Sequence, residues 1–440
     1  MSHKVFCATK GPKHHLFGFH DLIAFNKDGD KLLSLEVDEI NHPPLPGEKA
    51  KVGYVTWKDQ NFHPLGETCA FNYPQGARMQ WIDNTHFIVN NRVGDHWGAD
   101  IYDIEKGEKV KSLDSTCHSL TKDSKCAFGI NYSRLHRLGG YGYIGLDDFT
   151  KDDALPTNDG IYKTNVETNE TTLLVSIADV AKTDPSTSAD NGFHHFVTHL
   201  CLSPNNKRIA FLHRFFLADG GVRTRLMTIG VDGKDIHCLA CGFLSHFDWK
   251  DDDSIYIWGR AGSGLDAMRS KPIFSNPLVK PFVKMAKAII KKLKKGGKGI
   301  GMSFLLCKDQ EEKSVTHMAQ GVITGDGHPM TCPTDNNICI CDTYPDDEGV
   351  RELFIYDFEK NEKDIIGKYK RLFADVDMGR KDEYLKDVDP KILGMISLES
   401  LSFSRSGIHC DFHPRWNADG TMVAFDSTHE GTRQIYIATR

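Results

Sequence analysis

The chain has no apolar run of the roughly 18 residues that a bilayer-crossing helix requires. Its opening, MSHKVFCATKGPKHH, lacks the apolar segment of a secretion signal. Both absences point to a cytoplasmic protein. Positive charge is not in excess either: 54 Lys and Arg stand against 60 Asp and Glu, a net charge of −6, so the chain is no dedicated nucleic-acid binder. The 12 cysteines follow no framework spacing, which excludes a disulfide scaffold and suits reduced thiols used as small core residues. Cys238 and Cys241 form one C-x-x-C, but no second pair follows at zinc-ribbon spacing. Missing as well are a G-x-S-x-G elbow, a P-loop and a dinucleotide fingerprint after a strand, and with them acyl-transfer, P-loop and dinucleotide chemistry. GGKGIG, from 296 to 301, follows a lysine-rich stretch rather than a strand and reads as a linker. Helical periodicity is scarce.

What is present is a repeat. A strand, a short polar turn with Asp, Asn or Gly, and a second apolar strand recur as IAFNKDGDKLLSLEV from Ile23, WIDNTHFIVNNR from Trp81, LTKDSKCAFGINYS from Leu120 and LSPNNKRIAFLHRF from Leu202. Further copies are WKDDDSIYIWGR from Trp249, CPTDNNICICDTYP from Cys332 and WNADGTMVAFDS from Trp416. Each has the alternation of a β-hairpin on both sides of its turn. Seven copies in 440 residues leave about sixty residues apiece, enough for the four strands of a propeller blade. The expected fold is therefore all-β, a seven-bladed β-propeller spanning residues 1–440 as a single domain. A pair of β-sandwiches is the competing architecture, though the repeats run through the midpoint without a linker.

A polar residue precedes the turn in every copy: His20, Gln80, His118, His199, His246, His328 and His413. In a propeller these positions end the innermost strands and would line a common channel. Imidazoles gathered there repel one another when protonated, so the pattern suits a metal or an anionic ligand. HCDFHPRWNADG, from 409 to 420, adds His409, Asp411 and His413 at alternate positions of an expected strand, three possible metal ligands on one face. Other polar groups fall near the same ends: His14, His15 and Asp21; Arg78; Tyr132, Arg134, His136 and Arg137; His194 and His195; and His213, Arg214, Arg223 and Arg225. Arginines and histidines with few acids among them suit a carboxylate or phosphate ligand. His20, Gln80, Arg134, His136 and Arg223 are the candidate substrate contacts; Arg134 and Arg137 can equally pair with acidic neighbours.

SHFDW (245–249), GDGHPM (325–330), CDTYPD (341–346) and CDFHPRW (410–416) resemble blade motifs of the oligogalacturonate lyase family and related TolB-like seven-bladed propeller proteins. The resemblance covers roughly the last 250 residues, and the first 150 only loosely. It implies a lyase that cleaves uronic-acid glycans by β-elimination with a divalent metal, in this family typically Mn2+. It also implies that His328 and His413 are metal ligands with His246 beside them. Asp411 stands where the family has a second His, so His409 and Asp411 share that role. The family's base is an arginine, which the resemblance places at Arg225 with Arg223 as neighbour. Guanidinium normally stays protonated, so His199 or His246 are rival bases, and Tyr132 or Tyr143 can donate to the leaving oxygen.

One segment departs from the β pattern. Residues 276–299, NPLVKPFVKMAKAIIKKLKKGGKG, have an apolar stripe at helical spacing and eight lysines between 280 and 298. They read as an inserted basic amphipathic helix, suited either to the inner face of an anionic membrane or to packing on the propeller with solvated lysines. The charged stretch 360–400 reads as an excursion from the sixth blade that can serve as a lid. Two functions follow: a uronide lyase, or a non-catalytic propeller that binds an anionic glycan or glycolipid precursor at the membrane surface. A scaffold for protein partners has no need of a histidine-lined channel.

Overall fold

The computed structural model describes residues 3–183, 194–217, 221–262, 301–312 and 314–440. The segment 276–299, with its expected helix, lies outside the described residues. The chain is mostly antiparallel sheet with few helices. It groups into two compact units, one of residues 1–151, 161–174 and 327–440, the other of residues 152–160 and 175–326.

Each of the seven repeats folds as an antiparallel pairing, represented by Phe25↔Leu32, Gln80↔Ile88, Ser119↔Phe128, Cys201↔Ala210, Phe247↔Ile257, Met330↔Ile340 and Arg415↔Ala424. The turns form where side chains replace backbone partners. Asn26 Oδ1 accepts from the amides of Asp30 and Lys31, and Asn417 Oδ1 accepts from those of Thr421 and Met422. Gly29 and Gly420 supply the left-handed residue of these two turns, at φ 71° in both. The tryptophans that open three repeats each donate Nε1–H to a carbonyl of the preceding repeat: Trp81 to Ala24, Trp249 to Cys201 and Trp416 to Met330.

In the first unit the strands form four-stranded sheets. One joins the two ends of the chain, since Lys4–Cys7 pairs with Gln434–Thr439, which pairs in turn with Met422–Ser427 and Arg415–Trp416. The second unit holds one seven-stranded sheet. Its 13-residue strand His237–Trp249 pairs through its first half with Val222–Gly230 and through its second half with Ser254–Ala261, changing register between Leu244 and Phe247. One long strand thus serves two repeats, which sequence periodicity does not reveal.

The 360–400 excursion resolves into a fourth sheet strand, Glu362–Lys370, and three short helices, Lys381–Tyr384, Pro390–Met395 and Leu398–Arg405. These pack against the helix Tyr132–Gly139: His136 Nε2 lies 3.1 Å from the Lys386 carbonyl oxygen, the Asp389 amide donates to the Arg137 carbonyl, and Arg405 Nη2 donates to the Gly139 carbonyl.

Candidate metal centre

The expected strand with three ligands on one face is not what forms. Residues 409–414 have no regular secondary structure, the strand being confined to Arg415–Trp416, and His413 has φ 43°. Left-handed backbone at a non-glycine residue breaks the alternation and re-aims the side chain. It recurs at the same register in two other repeats, at Arg78 (φ 55°) and His199 (φ 58°), each three residues before the residue that opens its repeat. The residue with the same backbone as His413 in the second repeat is therefore Arg78, two residues before Gln80. Gln80 instead lies in the strand, its Oε1 accepting from the Leu120 amide and its Nε2 donating toward the His118 carbonyl.

His328, Asp411 and His413 converge. Their ligand atoms all lie within 4.8 Å of one another, and among the described residues no other group of three His, Cys, Asp or Glu does so. The His328 and His413 rings stand perpendicular, with centroids 4.3 Å apart. His20 completes a buried trio of imidazoles, 5.7 Å from His328 and 6.2 Å from His413. Phe19 packs against His413 at 5.0 Å and shields this side from water.

A carboxylate that sequence reasoning missed organises the cluster. Asp342 Oδ1 accepts from the His328 amide at 2.7 Å and lies 2.8 Å from His328 Nδ1; its Oδ2 accepts from the amides of Phe412 at 3.0 Å and His413 at 3.3 Å. An ionised carboxylate only accepts, so His328 carries its proton on Nδ1 and turns Nε2 toward Asp411, 4.0 Å away. Arg351, also missed, donates Nη2–H to Asp411 Oδ1 at 3.0 Å, and His409 Nε2 lies 3.1 Å from Oδ2. His409 is thus a neighbour of Asp411 outside the three-residue cluster.

The electrostatics leave Asp411 and His413 in ligand form. Burial opposes ionisation of Asp411, but the His409 imidazole, the Arg351 guanidinium and His328 outweigh it and hold the carboxyl well below its usual range. Burial, reinforced by His328, pushes the His413 imidazole well below the ordinary histidine value. Metal ions bind the neutral imidazole and the ionised carboxylate, so the donor set fits a divalent cation.

A polar chain runs on from His20. The adjacent Asp21 takes a bidentate pair of bonds from Arg78, both 2.7 Å, and Arg78 also donates to the His118 carbonyl. His118 Nδ1 lies 2.7 Å from the Tyr132 hydroxyl, and Tyr132 stacks on Tyr143 at 4.0 Å. On the other side, the buried Asp426 carboxylate pairs with both Arg415 and Arg433 and accepts from the Phe17 amide, which fixes the approach to Phe19 and His20.

The remaining candidates have partners of their own. Arg134 donates to Thr150, and Arg137 pairs with Asp148, so both hold the loop after their helix; His136 faces Lys386 as above. His199, His246, Arg223 and Arg225 belong to the second unit. There the rings of His199 and His246 are 6.4 Å apart, and His246 Nδ1 lies 3.1 Å from Asp326 Oδ1. Arg225 is buried over Phe215, and Arg223 Nε lies 3.1 Å from Cys241 Sγ.

No protein-family model and no curated protein matches the sequence. The similarity lies in structure. An oligogalacturonate lyase from Vibrio parahaemolyticus matches over 100% of this chain and 97% of its own, with a TM-score of 0.55 and 12% identity. An oligogalacturonate lyase in complex with manganese matches over 100% of this chain and 96% of its own, with a TM-score of 0.54 and 12% identity. TolB from Acinetobacter baumannii covers 77% of this chain and 63% of its own, with a TM-score of 0.36 and 10% identity. The chain has the fold of oligogalacturonate lyase; identities this low speak for fold alone.

Proposed function

We propose that this protein is a seven-bladed propeller and a metal-dependent lyase that cleaves uronic-acid glycans by β-elimination. The observation that carries this reading is the convergence of His328, Asp411 and His413 at the positions the family motifs mark as ligands. A divalent cation held there, Mn2+ by analogy with the manganese-bound lyase of the same fold, supplies Lewis-acid stabilisation of the charge that develops on the uronate carboxylate. His328 is held in the right tautomer by Asp342, Asp411 provides the negative charge, and Phe19 excludes water. In the reaction the C5 proton leaves to a base and the C4 oxygen departs, giving an unsaturated sugar. Tyr132 is held too firmly by His118 and Tyr143 to be the first choice as acid.

One observation favours a second reading, a non-catalytic binder of an anionic glycan: Asp411, which stands where the family has a ligand His, is engaged by Arg351 and His409. One assay separates the two. The protein is incubated with a panel of uronic-acid polysaccharides, with and without manganese, and the ultraviolet absorbance of unsaturated product is followed. Metal-dependent absorbance that His413→Ala abolishes supports the lyase. Tight glycan binding without absorbance supports the binder. Among the described residues no helix is long and apolar enough to cross a membrane. Cytoplasmic residence, with contact to an anionic membrane surface through residues 276–299, belongs to the same proposal.

A further inference from the structure

The first unit contains a cleft that shares only Tyr132 with the candidate residues of the lyase reading. Its volume is about 360 Å3, within the span of roughly 300–1,000 Å3 typical of small-molecule sites. Four aromatic residues, Trp97, Tyr132, Phe149 and Tyr162, and three aspartates, Asp95, Asp114 and Asp147, line it; His96 is the one basic side chain among the described lining residues, which include no lysine or arginine.

The aromatic walls are held in place. Trp97 donates Nε1–H to Ser133 Oγ at 2.9 Å and is braced edge-on by Tyr143 at 5.6 Å. Phe149 is 65% exposed, yet its loop is not slack. The neighbouring Asp148 is buried and takes bonds from Arg137 Nε at 2.9 Å, Asn131 Nδ2 at 3.0 Å, and both the amide and hydroxyl of Thr150, at 3.0 and 2.8 Å. A phenyl ring is thus presented to solvent by a fixed backbone, an arrangement that brings no folding benefit of its own. Asp147, on the other side of that anchor, is exposed and accepts no hydrogen bond from the described residues.

A ligand for this cleft must offer an apolar face to Trp97 and Phe149, hydroxyl donors to carboxylates, and no negative charge. An anion meets three aspartates against a single imidazole, His96, which already lies 3.2 Å from Asp95 and 4.0 Å from Asp114, and a purely apolar ligand desolvates the carboxylates without replacing their hydrogen bonds. A pyranose ring meets all three requirements, with C–H groups on its faces and hydroxyls around its rim. We infer that this cleft is a binding site for a neutral sugar unit, distinct from the His328–Asp411–His413 cluster and opposite to it in charge preference. The inference stands independently of the lyase reading.

The test is saturation-transfer NMR and titration of the full-length protein with cellobiose, N,N′-diacetylchitobiose and digalacturonate, before and after EDTA. A neutral disaccharide is expected to bind in preference to digalacturonate, with no effect of EDTA. Phe149→Ala, at an exposed position that leaves packing intact, should weaken binding about tenfold, the loss of one aromatic contact. Asp147→Lys should shift preference toward digalacturonate. Absence of neutral-sugar binding, no effect of Phe149→Ala, loss of binding with EDTA, or binding of spermidine in place of sugars would each overturn the inference. Uronide turnover of Phe149→Ala, expected to equal wild type, shows separately whether the lyase reading holds.

Discussion

Replacing Asp342 by Asn is the sharpest perturbation of the candidate metal centre. The carboxylate serves four donors: the amides of His328, Phe412 and His413, and His328 Nδ1. Asn keeps one accepting oxygen and sets an NH2 group against the two donors that faced the other. A buried hydrogen bond to a charged group contributes about 1.5–3 kcal/mol, so losing two destabilises the local structure by about 3–6 kcal/mol. Ordinary domains are stable by only about 5–15 kcal/mol, so the effect is large. Because the chain has two compact units, a local readout is preferable to a global melting curve. Native-state hydrogen exchange of the Phe412 and His413 amides should accelerate by roughly a hundredfold or more, at tenfold per 1.4 kcal/mol. Freeing the His328 ring should also weaken metal affinity about 10–100-fold in calorimetric titration. Unchanged exchange at both amides together with unchanged metal affinity would refute the role given to Asp342.

Asp426→Asn should lower stability by about 3–5 kcal/mol in denaturant titration, because it leaves the buried guanidinium groups of Arg415 and Arg433 uncompensated. Acid should destabilise the fold earlier than carboxylates alone require. Burial pushes the imidazoles of His118 and His213 well below their ordinary value, so below about pH 6.5 the unfolded chain takes up protons that the folded chain refuses. Each group then costs about 1.4 kcal/mol per pH unit until its folded-state value is reached, and a flat stability profile between about pH 6.5 and 5 would contradict this. Deleting residues 276–299 should abolish co-sedimentation with anionic vesicles; retained sedimentation would end the membrane proposal.

The parts of the fold legible in the sequence are those encoded locally. Turn residues such as Asn417 and Gly420 and the alternation beside them identify all seven hairpins, because each signal spans a dozen residues. Asp411 and His413 were legible for the same reason. The long strand His237–Trp249 was not, because a strand shared between two repeats leaves the period of each intact. The left-handed backbone shared by Arg78, His199 and His413 has no sequence mark when the residue is not glycine, so the sequence does not separate Arg78 from Gln80. Asp342 and Arg351 were invisible for a different reason. Arg351 reaches Asp411 from 60 residues earlier, and Asp342, 14 residues after His328, also reaches the Phe412 amide from 70 residues earlier, so only folding joins the two halves of the cluster. Arg134, Arg137 and His136 looked like ligand groups by type; their partners, Asp148, Thr150 and Lys386, show that they hold a loop and a helical segment in place.

Metal content tests the central claim most directly. Wild-type protein and the His413→Ala and Asp411→Ala variants are equilibrated with manganese, freed of unbound metal and analysed by atomic emission, with folding checked by circular dichroism. The account predicts a single equivalent of metal in the wild type and almost none in either folded variant. Equal metal in all three proteins, or none in the wild type, would contradict it.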